Sequence, residues 1–78
     1  MIRYIHIEVH YVANGGRILQ RGEFPVIPSN YIKDEKREAA RISYDFIEQI
    51  RRKNSYRITL EKVLYNGNDI TDMFKALF

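Results

Sequence analysis

The sequence predicts an α+β fold: a three-stranded antiparallel sheet in spatial order 2-1-3, connected ββαβα, with one long helix on one face and a short C-terminal helix. Three observations predict it. Residues 2–12 alternate apolar and polar side chains, Asn14-Gly15-Gly16 follows at once, and residues 34–53 repeat apolar side chains every three or four positions. With 78 residues the chain is expected to form a single domain, 1–78, with a thin core.

The first strand places Ile5, Ile7, Val9 and Tyr11 on one face and Tyr4, His6, Glu8 and His10 on the other, because successive side chains leave a strand in opposite directions. Asn-Gly between alternating segments is a strong hairpin signal. A two-residue loop at Asn14-Gly15 pairs Ala13 with Gly16, Tyr11 with Ile18, Ile7 with Gly22 and Ile5 with Phe24. On the opposite face Glu8 then meets Arg21 and His6 meets Glu23. A Gly15-Gly16 loop would instead set Glu8 against Glu23, and like charges directly opposite are unfavourable. Pro25 cannot donate to a ladder, so the second strand is expected at the edge and the first in the centre.

Ser29 and Asn30 are candidate caps for the helix, and Asp34 with Glu35 opens its well-defined part. The stripe Ala39, Ile42, Phe46 and Ile50, flanked by Ala40, Ser43 and Ile47, is expected to lie on the sheet. Arg51, Arg52 and Lys53 suit the negative C-terminal end, and Asn54 stops the helix.

The third strand, Tyr56 to about Tyr65, places Ile58, Leu60 and Leu64 towards the helix and Arg57, Thr59, Glu61, Val63 and Tyr65 away from it. Lys62 breaks that pattern, by snorkelling or by marking a bulge. Asn66-Gly67 makes a turn, Asp69 caps, and Ile70, Met73, Phe74 and Leu77 have helical spacing. The expected core is Ile5, Ile7, Val9, Phe24, Ala39, Ile42, Phe46, Ile50, Ile58 and Leu60.

Composition narrows the function classes. There is no cysteine, which removes disulfides, thiolate zinc sites and cysteine nucleophiles. No apolar run approaches a membrane span, and His6, Glu8 and His10 interrupt any N-terminal signal segment, so a cytoplasmic protein without membrane contact is expected. The net charge of +3 permits nucleic acid without demanding it.

His6-x-Glu8-x-His10 is the one row with metal-capable chemistry. Neighbours two apart on a strand face lie about 6.7 Å apart, so His6 with Glu8, or Glu8 with His10, could chelate one ion. His6 and His10, about 13 Å apart along the strand, cannot share one comfortably, and the row reads equally as a solvated face paired across the ladder. The hydroxyls show no nucleophile-elbow context, and Gly15-Gly16 precedes no helix that would make it a phosphate loop. A non-enzymatic protein without a cofactor is expected.

Two surfaces remain. The helix-free sheet face carries Tyr4, His6, His10, Arg21, Val63 and Tyr65, with Tyr4, Pro25, Val63 and Tyr65 gathered in an apolar patch at one end. Tyrosine and arginine are enriched at interfaces, so a protein partner is expected there, and a homodimer is compatible with it. Arg51, Arg52, Lys53 and Arg57, with Tyr56 beside them, form a basic corner suited to nucleic-acid phosphates.

Overall fold

A computed structural model describes residues 3–55 and 57–78. The elements are β1 (Tyr4–Ala13), β2 (Gly16–Pro25), α1 (Pro28–Lys33), α2 (Glu35–Lys53), β3 (Ile58–Tyr65), β4 (Asn68–Asp69) and α3 (Thr71–Leu77). The α+β class and the central position of β1 are as expected, but the antiparallel sheet has four strands in order β2-β1-β3-β4 rather than three.

The β1–β2 hairpin has the register derived from its turn: Ala13 opposes Gly16, Glu8 opposes Arg21, His6 opposes Glu23 and Ile5 opposes Phe24. Asn14 and Gly15 take φ values of 53° and 77°, the left-handed pair that a type I′ turn requires. Asn66 and Gly67, at 46° and 84°, repeat that turn and pair Tyr65 with Asn68. The second Asn-Gly therefore starts a fourth strand before α3 begins. Asp69 then accepts from the Thr71 backbone N–H at 2.9 Å and its hydroxyl at 2.6 Å, which turns the chain into the helix.

Ser29 and Asn30 lie within the short helix α1, with Pro28 in its first turn, and do not cap α2. Asp34 ends α1 and caps α2, its carboxylate accepting from the Arg37 N–H at 3.1 Å. Asn54 closes α2, its backbone and side-chain N–H groups both donating to the Ile50 carbonyl.

The largest departure from expectation lies in β3. Pairing with β1 shifts register between His10 and Tyr11: Tyr11 opposes Leu60, yet His10 opposes Lys62. Glu61 is the extra residue of a β-bulge, and a one-residue insertion reverses the facing of everything beyond it. Ile58 and Leu60 face the helix as expected. Past the bulge Val63 and Tyr65 turn inward, 0% and 3% exposed, and Leu64 turns outward opposite Glu8.

The helical stripe is also rotated. Ala39, Ala40, Ser43, Ile47 and Ile50 are the most deeply buried positions, whereas Phe46 is only half-buried. Helix α2 lies over β1 and β3, so Phe46 hangs on the β2 side and meets Phe24 with ring centroids 4.9 Å apart. Phe24, Ile58 and Leu60 line the core rather than fill it, and Tyr11, Ala13, Val26, Ile70 and Phe74 join it. Helix α3 packs beside α2: Phe74 is buried, and Phe78 stacks on Tyr44 at 4.6 Å. Among the described residues no helix is long and apolar enough to cross a membrane.

Candidate functional site

All three helices share one side of the sheet, and the buried alternation of β1 belongs to that side. The other face presents Tyr4, His6, Glu8, His10 and Val12 from β1. Beside them lie Arg17, Leu19, Arg21, Glu23 and Pro25 from β2, and Thr59, Lys62 and Leu64 from β3. Tyr4 is 56% exposed and Leu19 40% exposed.

Charge is arranged along this face. Glu8 sits between both histidines, its carboxylate 3.5 Å from His6 Nε2 and 3.6 Å from His10 Nε2, with Arg21 Nε at 3.8 Å. His6 Nδ1 lies 3.5 Å from Glu23. The two carboxylates therefore approach opposite nitrogens of one ring and do not converge on a common point. Among the described residues no three His, Asp or Glu side chains form a group that could hold a metal ion. His10 Nε2 is shielded from solvent; among the described residues it has no hydrogen-bond partner and faces the Glu8 carboxylate at 3.6 Å. The backbone beneath is stiffly held, since Asn66 accepts from the His6 N–H through its side chain and donates to the His6 carbonyl, both at 2.8 Å.

Four of the six residues expected at a partner surface, Tyr4, His6, His10 and Arg21, lie on this face. Val63 and Tyr65 do not. The bulge carries them into the core, where the Tyr65 hydroxyl bonds that of Tyr31 on α1. Burial, with that hydrogen bond, pushes the Tyr65 phenol well above its ordinary range. Tyr4 and Tyr65 therefore lie on opposite sides of the sheet, and the expected Tyr4–Val63–Tyr65 patch does not form. Leu64 takes the place on the open face that Val63 was expected to hold.

The basic corner is assembled in part. Arg51 is engaged with Glu48 at 2.9 Å, Arg52 and Lys53 are exposed at the end of α2, and Tyr56 lies outside the described residues. Lys53 and Arg57 line a shallow depression of about 430 Å³ with Asn14, Asn54 and Ser55.

One buried charge escaped the sequence reading. Glu38 accepts from Arg41 Nε at 2.8 Å, Arg41 Nη2 at 3.0 Å and the Ile27 N–H at 3.0 Å. The Arg41 guanidinium holds its carboxyl below the ordinary value against the opposing effect of burial. It floors a cleft of about 530 Å³ rimmed by Lys33, Arg37, Leu77 and Phe78. With three donors satisfied, this carboxylate ties α2 to the chain entering α1 and is not poised as an acid or base. Ser43, the one buried hydroxyl of α2, donates to the Ala39 carbonyl at 2.7 Å.

Comparison with protein-family models, with curated proteins and with solved structures gave no match. The functional reading therefore rests on the site alone.

Proposed function

We propose that the chain is a small non-enzymatic binding module of the regulator, adaptor or inhibitor type, which engages a protein partner through the helix-free face of its sheet. The observation that carries this reading is the placement of α1, α2 and α3 on one side, which leaves Tyr4, His6, His10, Leu19 and Arg21 uncovered on the other. An exposed tyrosine and an arginine on adjacent strands are the side chains from which interface anchors are drawn, and two imidazoles lie beside them. The test is a photo-reactive residue placed at Tyr4 or His10, with a control at Arg52 on α2, in the cells that make the protein. Adducts with another protein from the first two positions and not from the control support the reading. Adducts from the control alone, or from none of the three, overturn it.

A second reading draws on the depression that Lys53 and Arg57 share with the β1–β2 turn. Two cations converging on a concave surface suit a phosphate backbone, and the alternative function is nucleic-acid binding there. Oligonucleotide affinity should then fall linearly in log–log with salt and be lost in a Lys53→Glu, Arg57→Glu variant. Absence of binding at low salt removes this reading.

A further inference from the structure

The sheet ends at β2, an edge strand of ten residues, while the opposite edge ends in the two-residue β4. The backbone groups that β2 leaves free follow from its register. A two-residue turn makes Ala13–Gly16 a hydrogen-bonded pair, and such pairs recur at every second position. Three bonds fix that phase independently. Val26 donates to the Arg3 carbonyl at 2.9 Å, whereas the N–H and carbonyl of His6 both go to Asn66, so His6–Glu23 is a non-hydrogen-bonded pair. Arg17, Leu19, Arg21 and Glu23 therefore aim their N–H and C=O groups away from the molecule. Pro25 falls in the same outward phase, where its missing N–H removes no ladder bond.

We infer that β2 pairs with β2 of a second copy, antiparallel about a two-fold axis, to join the two four-stranded sheets into one. The side chains select the register. With Arg17 opposite Glu23 and Leu19 opposite Arg21 of the second copy, each of the four outward residues donates one backbone hydrogen bond and accepts one. Two-fold symmetry then produces the Arg17–Glu23 charge pair at both ends. Sliding by two residues in one direction sets Arg17 against Arg21, and in the other sets Arg21 against itself; both juxtapose like charges. The slide that pairs Arg21 with Glu23 brings Pro25 into the ladder without an N–H to give.

The helix side of the strand fits the same register. Ile18 is 38% exposed, a large apolar side chain left at the edge. Across the two-fold it faces Gly22, against which the Phe24 ring lies so closely that an added Cβ would sit 2.7 Å from it. Ile18 therefore reaches the partner's aromatic ring through the space that glycine leaves. Leu19, the other exposed apolar residue of β2, faces the aliphatic stem of Arg21. Charged edges ordinarily discourage strand addition; here the charges complement themselves in one register. The pairing is made by the backbone edge of β2 and its own side chains and leaves Tyr4, His6 and His10 of β1 uncovered, so it goes beyond the binding function proposed above and does not rest on it.

Sedimentation equilibrium across the soluble concentration range tests the inference. The wild-type mass should rise from 9.3 kDa towards twice that value. Arg17→Glu should shift the monomer–dimer midpoint upward by about tenfold or more, since it sets like charges opposite at both ends. Adding Glu23→Arg to it should restore the wild-type midpoint. Leu19→Pro, which removes an outward N–H and no bond within the monomer, should leave a monomer with the wild-type circular dichroism spectrum. A wild type that stays monomeric overturns the inference. So does a dimer that is indifferent to Leu19→Pro, or a double charge reversal no better than Arg17→Glu alone.

Discussion

Replacing Glu38 tests whether a buried carboxylate holds the helical layer in place. Its three hydrogen bonds carry charge, and bonds of that kind contribute about 1.5–3 kcal/mol each when shielded. Arg41 is 43% exposed along its side chain, so its share falls towards the ~0.5–1 kcal/mol of a surface pair. The Ile27 N–H, left without its acceptor, adds a loss of about 1–2 kcal/mol. Glu38→Ala should then cost about 1.5–3 kcal/mol at neutral pH, a large part of the stability of a domain this size. The cost depends on pH with a definite sign. The folded chain holds the Glu38 carboxyl below its ordinary value of 4.5, so as pH falls the unfolded chain takes up the proton first. The stability due to the ionised carboxylate is fully present above about 4.5 and disappears as pH falls through the folded value. Urea melts of wild type and Glu38→Gln at neutral pH and at about pH 3 measure this. The gap between the two proteins should be wide at neutral pH and close on acidification. A gap that is absent, or constant with pH, refutes the assignment of Glu38 as an ionised tie between α2 and Ile27.

Other consequences are simpler to check. Ile47→Ala, which empties a fully buried position, should cost about 2–5 kcal/mol in urea melts. Ser55 has φ of 54° just past α2, where glycine is the natural occupant, so Ser55→Gly should raise stability by about 1 kcal/mol and increase the melting temperature. Because the folded Tyr65 phenol is raised, stability should hold up to about pH 10 and fall as pH rises further towards the folded value; ultraviolet titration should show Tyr65 ionising only with unfolding. Zinc should move the melting temperatures of wild type and of a His6→Ala, His10→Ala variant equally, and a rise confined to wild type would mean that the histidine row gathers a metal ion.

The hairpin was legible because turn chemistry and cross-strand charge point to the same register. Asn14-Gly15 sets the pairing, and Glu8 and Glu23 reject the alternative. The faces of β3 were legible only up to Glu61. Lys62 at a core position was the signal, and reading it as a bulge moves Val63 and Tyr65 inward and Leu64 outward together. Strict alternation cannot show such a shift, because one unpaired residue reverses every facing beyond it. The second Asn-Gly carried the same I′ signal as the first, but a two-residue strand is too short to produce a pattern of its own. The tilt of α2 towards Ile47 depends on where the helix lies over the sheet, which its own periodicity does not contain. Glu38 was hidden because its burial and its bond from the Ile27 N–H arise only once the chain entering α1 has folded against α2; its i,i+3 partner Arg41 reads equally as a surface pair on the helix.

The helix-free face of the sheet, proposed above as the surface this protein uses, can be probed directly. Hydroxyl-radical footprinting of the purified chain against the same chain in extract of its own cells measures this residue by residue. Protection at Tyr4, His6 and His10, with Tyr44 and Phe78 on the helical side unchanged, is the predicted result. Tyr4 and His10 lie outside the strand edge that a second copy would cover, so their protection reports a different partner. Protection confined to Tyr44 and Phe78, or equal reactivity everywhere in the two samples, would rule out the helix-free face as the binding surface.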